Sequence, residues 1–204
     1  TPPVPALCGL TVPEVAAAGL SGVILPEVVL RLDRDNTARG TLLFTHDGIS
    51  GPAVLDLAGR AARRLAASGS LTLTLSLQPG MTPETWETFW REARQNHGVK
   101  QVKTMLASLL PRAAAEHLIE LADLGETVVS RLDALRRRRL IELLTAWPLV
   151  VTRTDSWDKA MAASGGIARD EVEAATLRSR LYSNLFFAGE FLDVDGPCGG
   201  YNLQ

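Results

Sequence analysis

Ser70-Leu71-Thr72-Leu73-Thr74-Leu75-Ser76-Leu77 is the stretch on which the fold turns. Leucine alternates with a hydroxyl residue, so an extended chain puts the leucines on one face and the hydroxyls on a wet one. After it the period changes. From Thr82 to Trp147 apolar residues recur at helical spacing. Thr82-Pro83-Glu84 reads as a cap with a first-turn proline. Trp86, Phe89, Trp90 and Ala93 make an apolar stripe that stops at Gly98, and Val99, Val102, Leu106, Leu109 and Leu110 continue it. Pro111 starts another helix, with Leu118, Leu121 and Ala122 inward, closing at Gly125. Arg131 to Trp147 forms the last, with Leu132, Leu135, Leu140, Leu143 and Trp147 on one broad stripe and Arg136 and Arg139 within it. Pro148 and Leu149-Val-Val-Thr152 resume extended structure. A helical subdomain inserted between strands is the expected architecture.

Towards the amino terminus, Pro52 suits a first helical position, Ser50 or Gly51 can cap, and Gly69 ends the helix. Val54, Leu57, Ala58, Ala61 and Leu65 fall on its inward face. Val23 to Leu32 is rich in β-branched and aliphatic residues and reads as a strand, with Pro26 marking an edge or bulge. Asp33 to Gly40 is a turn by composition, and Thr41 to Thr45 returns as the second strand of a hairpin. Pro2 to Leu7 is extended, because each proline pushes its predecessor out of the helical region.

Hydrophobic residues at 46% and charged residues at 22% exclude a disordered chain. The net charge of −2 supplies no global field for nucleic acid. The run Arg136 to Arg139 lacks the interleaved aromatics of a strand-binding surface, so nucleic acid is disfavoured as a partner. Cys8 and Cys198 have no C-x-x-C spacing, which disfavours a disulfide framework or a zinc site and points to a cytoplasmic protein. No apolar run approaches the roughly 18 residues of a membrane span. The chain opens in a proline-rich connector without an initiator methionine and stops at the first turn of a helix, so it is expected to be a portion of a larger protein.

Leu185-Phe186-Phe187-Ala188 is expected as a short, fully buried strand. Gly189 allows close backbone approach, and Glu190 puts a carboxylate at the strand's carboxyl end, where ligands of open α/β sheets sit. Asp193, Asp195, Gly196 and Gly199-Gly200 form a side-chain-poor loop. Tyr201-Asn202-Leu203-Gln204 reads as a first helical turn aiming backbone N–H groups at an electron-rich ligand.

Three separated motifs carry a family resemblance. Phe44-Thr45-His46 with Gly48 and Ser50-Gly51-Pro52, then Gly165-Gly166-Ile167 with Glu171-Val172 and Thr176, then Ala188-Gly189-Glu190 through Gly199-Gly200-Tyr201-Asn202-Leu203-Gln204, closely resemble the YhiN/BaiN-type NAD(P)/FAD-dependent oxidoreductases. The resemblance implies an α+β protein: an antiparallel, barrel-like β domain over 1–81 and 148–183, the helical insert over 82–147, and a strand and loop of the FAD-binding domain over 184–204. It implies FAD held by Gly189, Glu190, Asp193, Gly196, Gly199, Gly200, Tyr201, Asn202 and Leu203, with NAD(P)H as electron donor and a small molecule as substrate. The implied partner is an amino-terminal FAD-binding half carrying the G-x-G-x-x-G unit, a spacing that the glycines here do not show. Cys198 stands where the family pattern carries Thr, and Arg178 where it carries Glu.

For His46 two readings are open: a histidine hydrogen-bonded at a strand end, or a proton donor or acceptor beside the substrate. Ser50 is read as a helix cap, and His97 and His117 as solvated helix-face residues. The rival class is a binding or scaffold module without chemistry.

Overall fold

Strands β3 (Ile24–Arg31) and β4 (Thr37–Phe44) form the expected hairpin in a computed structural model that describes residues 1–194, 196, 198, 200 and 201. Asp33 builds the turn, its Oδ1 accepting from the backbone N–H groups of Asp35 at 2.9 Å and Asn36 at 2.8 Å. Those bonds satisfy donors that the reversal would otherwise strand. The pairing slips between Leu25 and Val28, which places the bulge at Pro26, a residue with no N–H to give the ladder.

Around this hairpin a seven-stranded antiparallel sheet assembles, in the order β7 (Trp147–Val151), β6 (Leu71–Ser76), β3, β4, β5 (Gly48–Ser50), β2 (Leu10–Thr11), β8 (Arg153–Thr154). β7 and β8 lie at opposite edges yet are separated in sequence by Thr152 alone. One extended segment therefore pairs with β6 through its first half and β2 through its second, which curls the sheet into a barrel-like form. Leu73, Leu75 and Leu77 are buried as the alternation requires. A second, two-stranded ladder joins β1 (Val4–Ala6) to β9 (Ala162–Ser164).

Helix α2 (Pro52–Ser68) lies across the sheet with Val54, Leu57, Ala58 and Ala61 fully buried. Gly51 is its N-cap at φ 99°, and no side chain caps it, so Ser50 does not play that role. Gly69 ends it in the left-handed conformation. The short α1 (Pro13–Ala17), which has one buried residue, was not legible from periodicity.

Helices α3 (Pro83–His97), α4 (Val102–Ala107), α5 (Arg112–Leu121) and α6 (Ala134–Ala146), with a 3-10 turn at Val129–Arg131, make up the helical stretch. Thr82 caps α3 as expected, accepting from the Thr85 N–H. Their buried side chains join those of the sheet in one contiguous core. Phe44 of β4 meets Trp147 of β7 at 6.0 Å, and Trp147 in turn meets His117 of α5 at 5.5 Å.

Several expectations need correction here. Val99 is exposed and Leu109 partly so, because α3 ends before them and α4 starts a new register. On α6, Leu140, Ile141 and Leu144 face inward while Leu135 is exposed; the N-cap at Asp133 shortens the helix and rotates the apolar stripe. Trp147 belongs to β7 rather than to that helix. His117 is half-buried against Trp147, with the Glu120 carboxylate 3.5 Å from its Nδ1, and is not a solvated residue. Arg136 is exposed, whereas Arg137 turns inward to Glu87 at 2.7 Å. The Leu185–Ala188 run is not a buried strand: Leu185 and Phe186 are exposed, and a single bridge joins Phe186 to Arg178. Among the described residues no helix is long and apolar enough to cross a membrane.

The Asp133 cap supports a prediction. Its Oδ1 accepts from the Arg136 N–H at 2.9 Å at the start of α6. Asp133→Ala should cost about 1 kcal/mol, read as a lower urea midpoint with an unchanged slope.

Candidate functional site: the tail docked along the second helix

The face of α2 opposite its buried stripe carries Asp56, Arg60 and Arg63, at spacings of four and three. The tail runs along this face in the opposite direction. Asp193 Oδ1 accepts from Arg63 Nη2 at 2.9 Å, and Asp56 Oδ1 accepts from the Cys198 N–H at 2.6 Å. Between those two anchors Gly196 lines a cavity of about 350 Å³ together with Thr37, Arg39, Asp56 and Arg60. Gly59 explains why α2 can sit so close to β9: a Cβ there would come within 2.8 Å of the Ser164 Cβ.

The amino-terminal side of the tail is fixed by Gly165-Gly166-Ile167. Ile167 N–H donates to the Phe191 carbonyl at 2.8 Å and the Asp193 N–H to the Ile167 carbonyl at 2.9 Å, so Ile167 and Leu192 form a parallel bridge. Both glycines hold positive φ, 105° and 131°. A Cβ on Gly166 would overlap the Phe191 carbonyl oxygen, and one on Gly165 would lie 2.6 Å from that of Pro2. The double glycine is thus a crossing point of the chain's first residues and its tail.

Thr1 completes the anchor, its hydroxyl donating to Asp193 Oδ2 at 2.5 Å. That hydrogen bond, aided by the Arg63 charge, holds the Asp193 carboxyl below its ordinary value of 3.8. A depressed folded-state pKa means that the carboxylate supports docking fully above pH 3.8 and loses that support as the pH falls further. In an acid titration followed by NMR, the amides of Leu192 and Asp193 should lose protection below that point while the barrel amides keep theirs.

The expected site residues divide. Gly189 (φ 82°) and Gly200 (φ 89°) present open backbone with nothing near a Cβ position, and Glu190 and Tyr201 are exposed beside them. Asp193 and Gly196 face α2 instead. Gly199, Asn202 and Leu203 lie outside the described residues. His46 is exposed on the β4–β5 turn, a turn tied by Thr45 N–H to the Gly48 carbonyl at 2.8 Å and Gly48 N–H to Thr45 Oγ1 at 3.1 Å. No hydrogen bond among the described residues joins His46 to the tail. Arg178, where the family pattern carries Glu, pairs with Glu173 at 3.4 Å. The residues missed by sequence reasoning are Thr1, Asp56, Arg60 and Arg63; the last three were visible as a polar row on α2, of which only the apolar row was used.

Comparison with known proteins gives a family and several relatives. The family model described as HI0933-like protein barrel and H2TH domain matches residues 4–162. The chain is 32% identical over 185 residues to the ribosomal RNA dihydrouridine synthase of Escherichia coli (strain K12), covering 91% of this chain and 44% of that protein. The protein of the same name in Haemophilus influenzae is 32% identical over 186 residues, covering 91% and 44%. The 3-dehydro-bile acid delta(4,6)-reductase of Clostridium scindens is 29% identical over 208 residues, covering 100% of this chain and 51% of that protein. The chain thus spans about half the length of the relatives that it matches.

Proposed function

This chain belongs to the HI0933-like family through its barrel and H2TH domain, and from that premise we propose that it is the substrate-side portion of an FAD-dependent oxidoreductase of YhiN/BaiN type. The observation that carries the reading is the tail's exposed apolar surface: Leu181, Tyr182, Phe186, Phe191, Val194 and Tyr201 are all more than half exposed. A surface of that kind calls for a neighbour, and the neighbour assigned here is the FAD-binding half of the same protein. The names of the relatives agree with redox chemistry, since one makes a dihydro nucleoside and the other reduces a bile acid; each name describes saturation of a carbon–carbon double bond.

The described residues fit a flavin at Gly189 and Gly200, where bare backbone is open to a flat ring, and at the exposed Glu190 and Tyr201. Asp193 is assigned to holding the tail, since Arg63 and Thr1 already use both its oxygens. Bound FAD supplies hydride transfer, with NAD(P)H as the donor and an unsaturated compound as the acceptor. With the cofactor bound, hydride would add to one carbon of the double bond and a proton to the other. His46 is the proton donor of this chain in the proposed reaction, its solvent-facing position keeping it in exchange with bulk water.

The test is stopped-flow reduction of the full-length protein by NADH and NADPH. A yellow protein bleached by one of them is the expected result. A colourless preparation whose melting temperature ignores added FAD would return the chain to the class of scaffold modules.

A further inference from the structure

We propose that the barrel with its helices and the tail are two bodies joined at a two-stranded neck, and that the Arg63–Asp193 pair is a latch gating the cavity between them. The neck is the ladder of β1 on β9, three residues on each side. The span that matches the family's barrel and H2TH domain starts at Val4, the first residue of β1, and stops at Ala162, the first of β9. The chain therefore enters and leaves that domain side by side. The domain's contiguous buried core runs from Cys8 to Val151 and includes no described residue of the tail.

Unusual backbone flanks both strands of the neck. Leu7, which follows β1 on the barrel side, holds φ 47°, while Gly165 and Gly166, which follow β9 on the tail side, hold 105° and 131°. A leucine in the left-handed region is strained, and such strain gathers at switching segments. The glycine pair can absorb changes of φ and ψ that other residues resist, as a hinge requires. Away from this hinge, two contacts pin the tail to α2: Arg63 on Asp193, and Asp56 on the Cys198 N–H. The side chains of the first pair remain 37% and 24% exposed, so water competes for it and the latch can open and reclose. The cavity of about 350 Å³ lies between hinge and latch. Ala6 and Ala162 of the neck form one wall, Asp56 and Arg60 of α2 another, and Gly196 of the tail closes it. A site of that size, with apolar and charged walls, suits a small apolar molecule with a polar end. That this molecule is the substrate, and that the second body is the FAD-binding half, rests on the reductase reading above.

The experiment uses the full-length protein carrying Ala162→Cys, which puts a thiol on the cavity wall at a position 8% exposed. Cys198→Thr removes the thiol of the tail. The probe is iodoacetamide, and its rate of reaction at residue 162 is read by mass spectrometry of the peptide. Reaction at a covered site follows the population of the open form. Asp193→Asn and Arg63→Gln should each speed labelling by about fivefold, the population change that goes with losing a partly exposed ion pair. The double variant should be no faster than either single, because each removes the same contact. Glu142→Gln, which breaks an exposed pair with Arg138 on α6, should leave the rate unchanged. Hydrogen exchange gives a second reading without the new cysteine. The residue-198 amide should lose protection by the same factor in the latch variants, while the amides of β3, β4 and β6 keep theirs. Unchanged labelling and exchange, single effects that multiply in the double variant, or equal speeding by Glu142→Gln would overturn the latch. Flavin reduction in the same preparation reads the reductase proposal separately. A yellow, reducible protein with no latch effect loses the gate alone; a colourless one whose latch opens as described loses the flavin alone.

Discussion

Gly48→Ala should open the barrel at β2 and lower stability by about 3 kcal/mol, the upper end for overpacking a close contact. A Cβ at this position would overlap the Leu10 carbonyl oxygen and stand 2.5 Å from the Val12 nitrogen and 2.9 Å from the Thr11 Cα. All three are backbone atoms of β2 and its exit, so no rotamer change relieves them. Relief requires β2 to move, which breaks its ladder to β5 at Thr11–Gly48 and Leu10–Ile49 and the Val12 N–H bond to the Asp47 carbonyl. β2 is also the strand that holds β8, so that edge of the sheet goes with it. For a chain of this size the melting temperature should fall by roughly 6–12 °C. Thr72→Ala, on the wet face of β6, is the control and should move stability by less than about 1 kcal/mol. Equal behaviour of the two variants would show that β2 does not sit against Gly48 as described.

That glycine also marks the limit of what the sequence discloses. Phe44-Thr45-His46-Asp47-Gly48 was legible as a motif, but β5 was not, because three residues give no period to read. Local signals did well wherever they were long or chemically special. The alternation of Ser70 to Leu77, the Pro26 bulge, the Thr82 cap and the apolar row of α2 all stand where the residues put them. What failed depended on partners far along the chain. Leu185–Ala188 is apolar enough for a central strand, yet burial needs neighbours on both sides, and only Arg178 bridges it. The pairing of β1 with β9 joins residues 4 and 164, and the anchor of Asp193 joins residues 1, 63 and 193. Neither leaves a trace in a window of sequence. The cover over His117 is hidden from a sequence window for the same reason, since the ring that supplies it belongs to Trp147.

Gly166→Val should free the tail while leaving the barrel folded, and this separates docking from stability. Position 166 has φ 131°, which a β-branched residue rarely adopts, and its Cβ would overlap the Phe191 carbonyl oxygen and lie 3.0 Å from the Phe191 carbonyl carbon. The two hydrogen bonds that Ile167 makes to Phe191 and Asp193 are then lost together. What would still hold the tail is the partly exposed Arg63–Asp193 pair, worth at most about 1 kcal/mol, the Thr1 hydroxyl bond to Asp193 and the Cys198–Asp56 bond. Hydrogen exchange should therefore show Phe191 to Asp193 unprotected, with β3, β4 and β6 unchanged, because the barrel core does not include the tail. In the full-length protein, FAD affinity should fall by about tenfold or more if Gly189, Glu190 and Tyr201 wall the flavin as proposed. Lost protection with undiminished FAD affinity would remove the tail from the cofactor site. Retained protection would mean that the chain crosses at Gly166 with more room than the 3.0 Å approach allows.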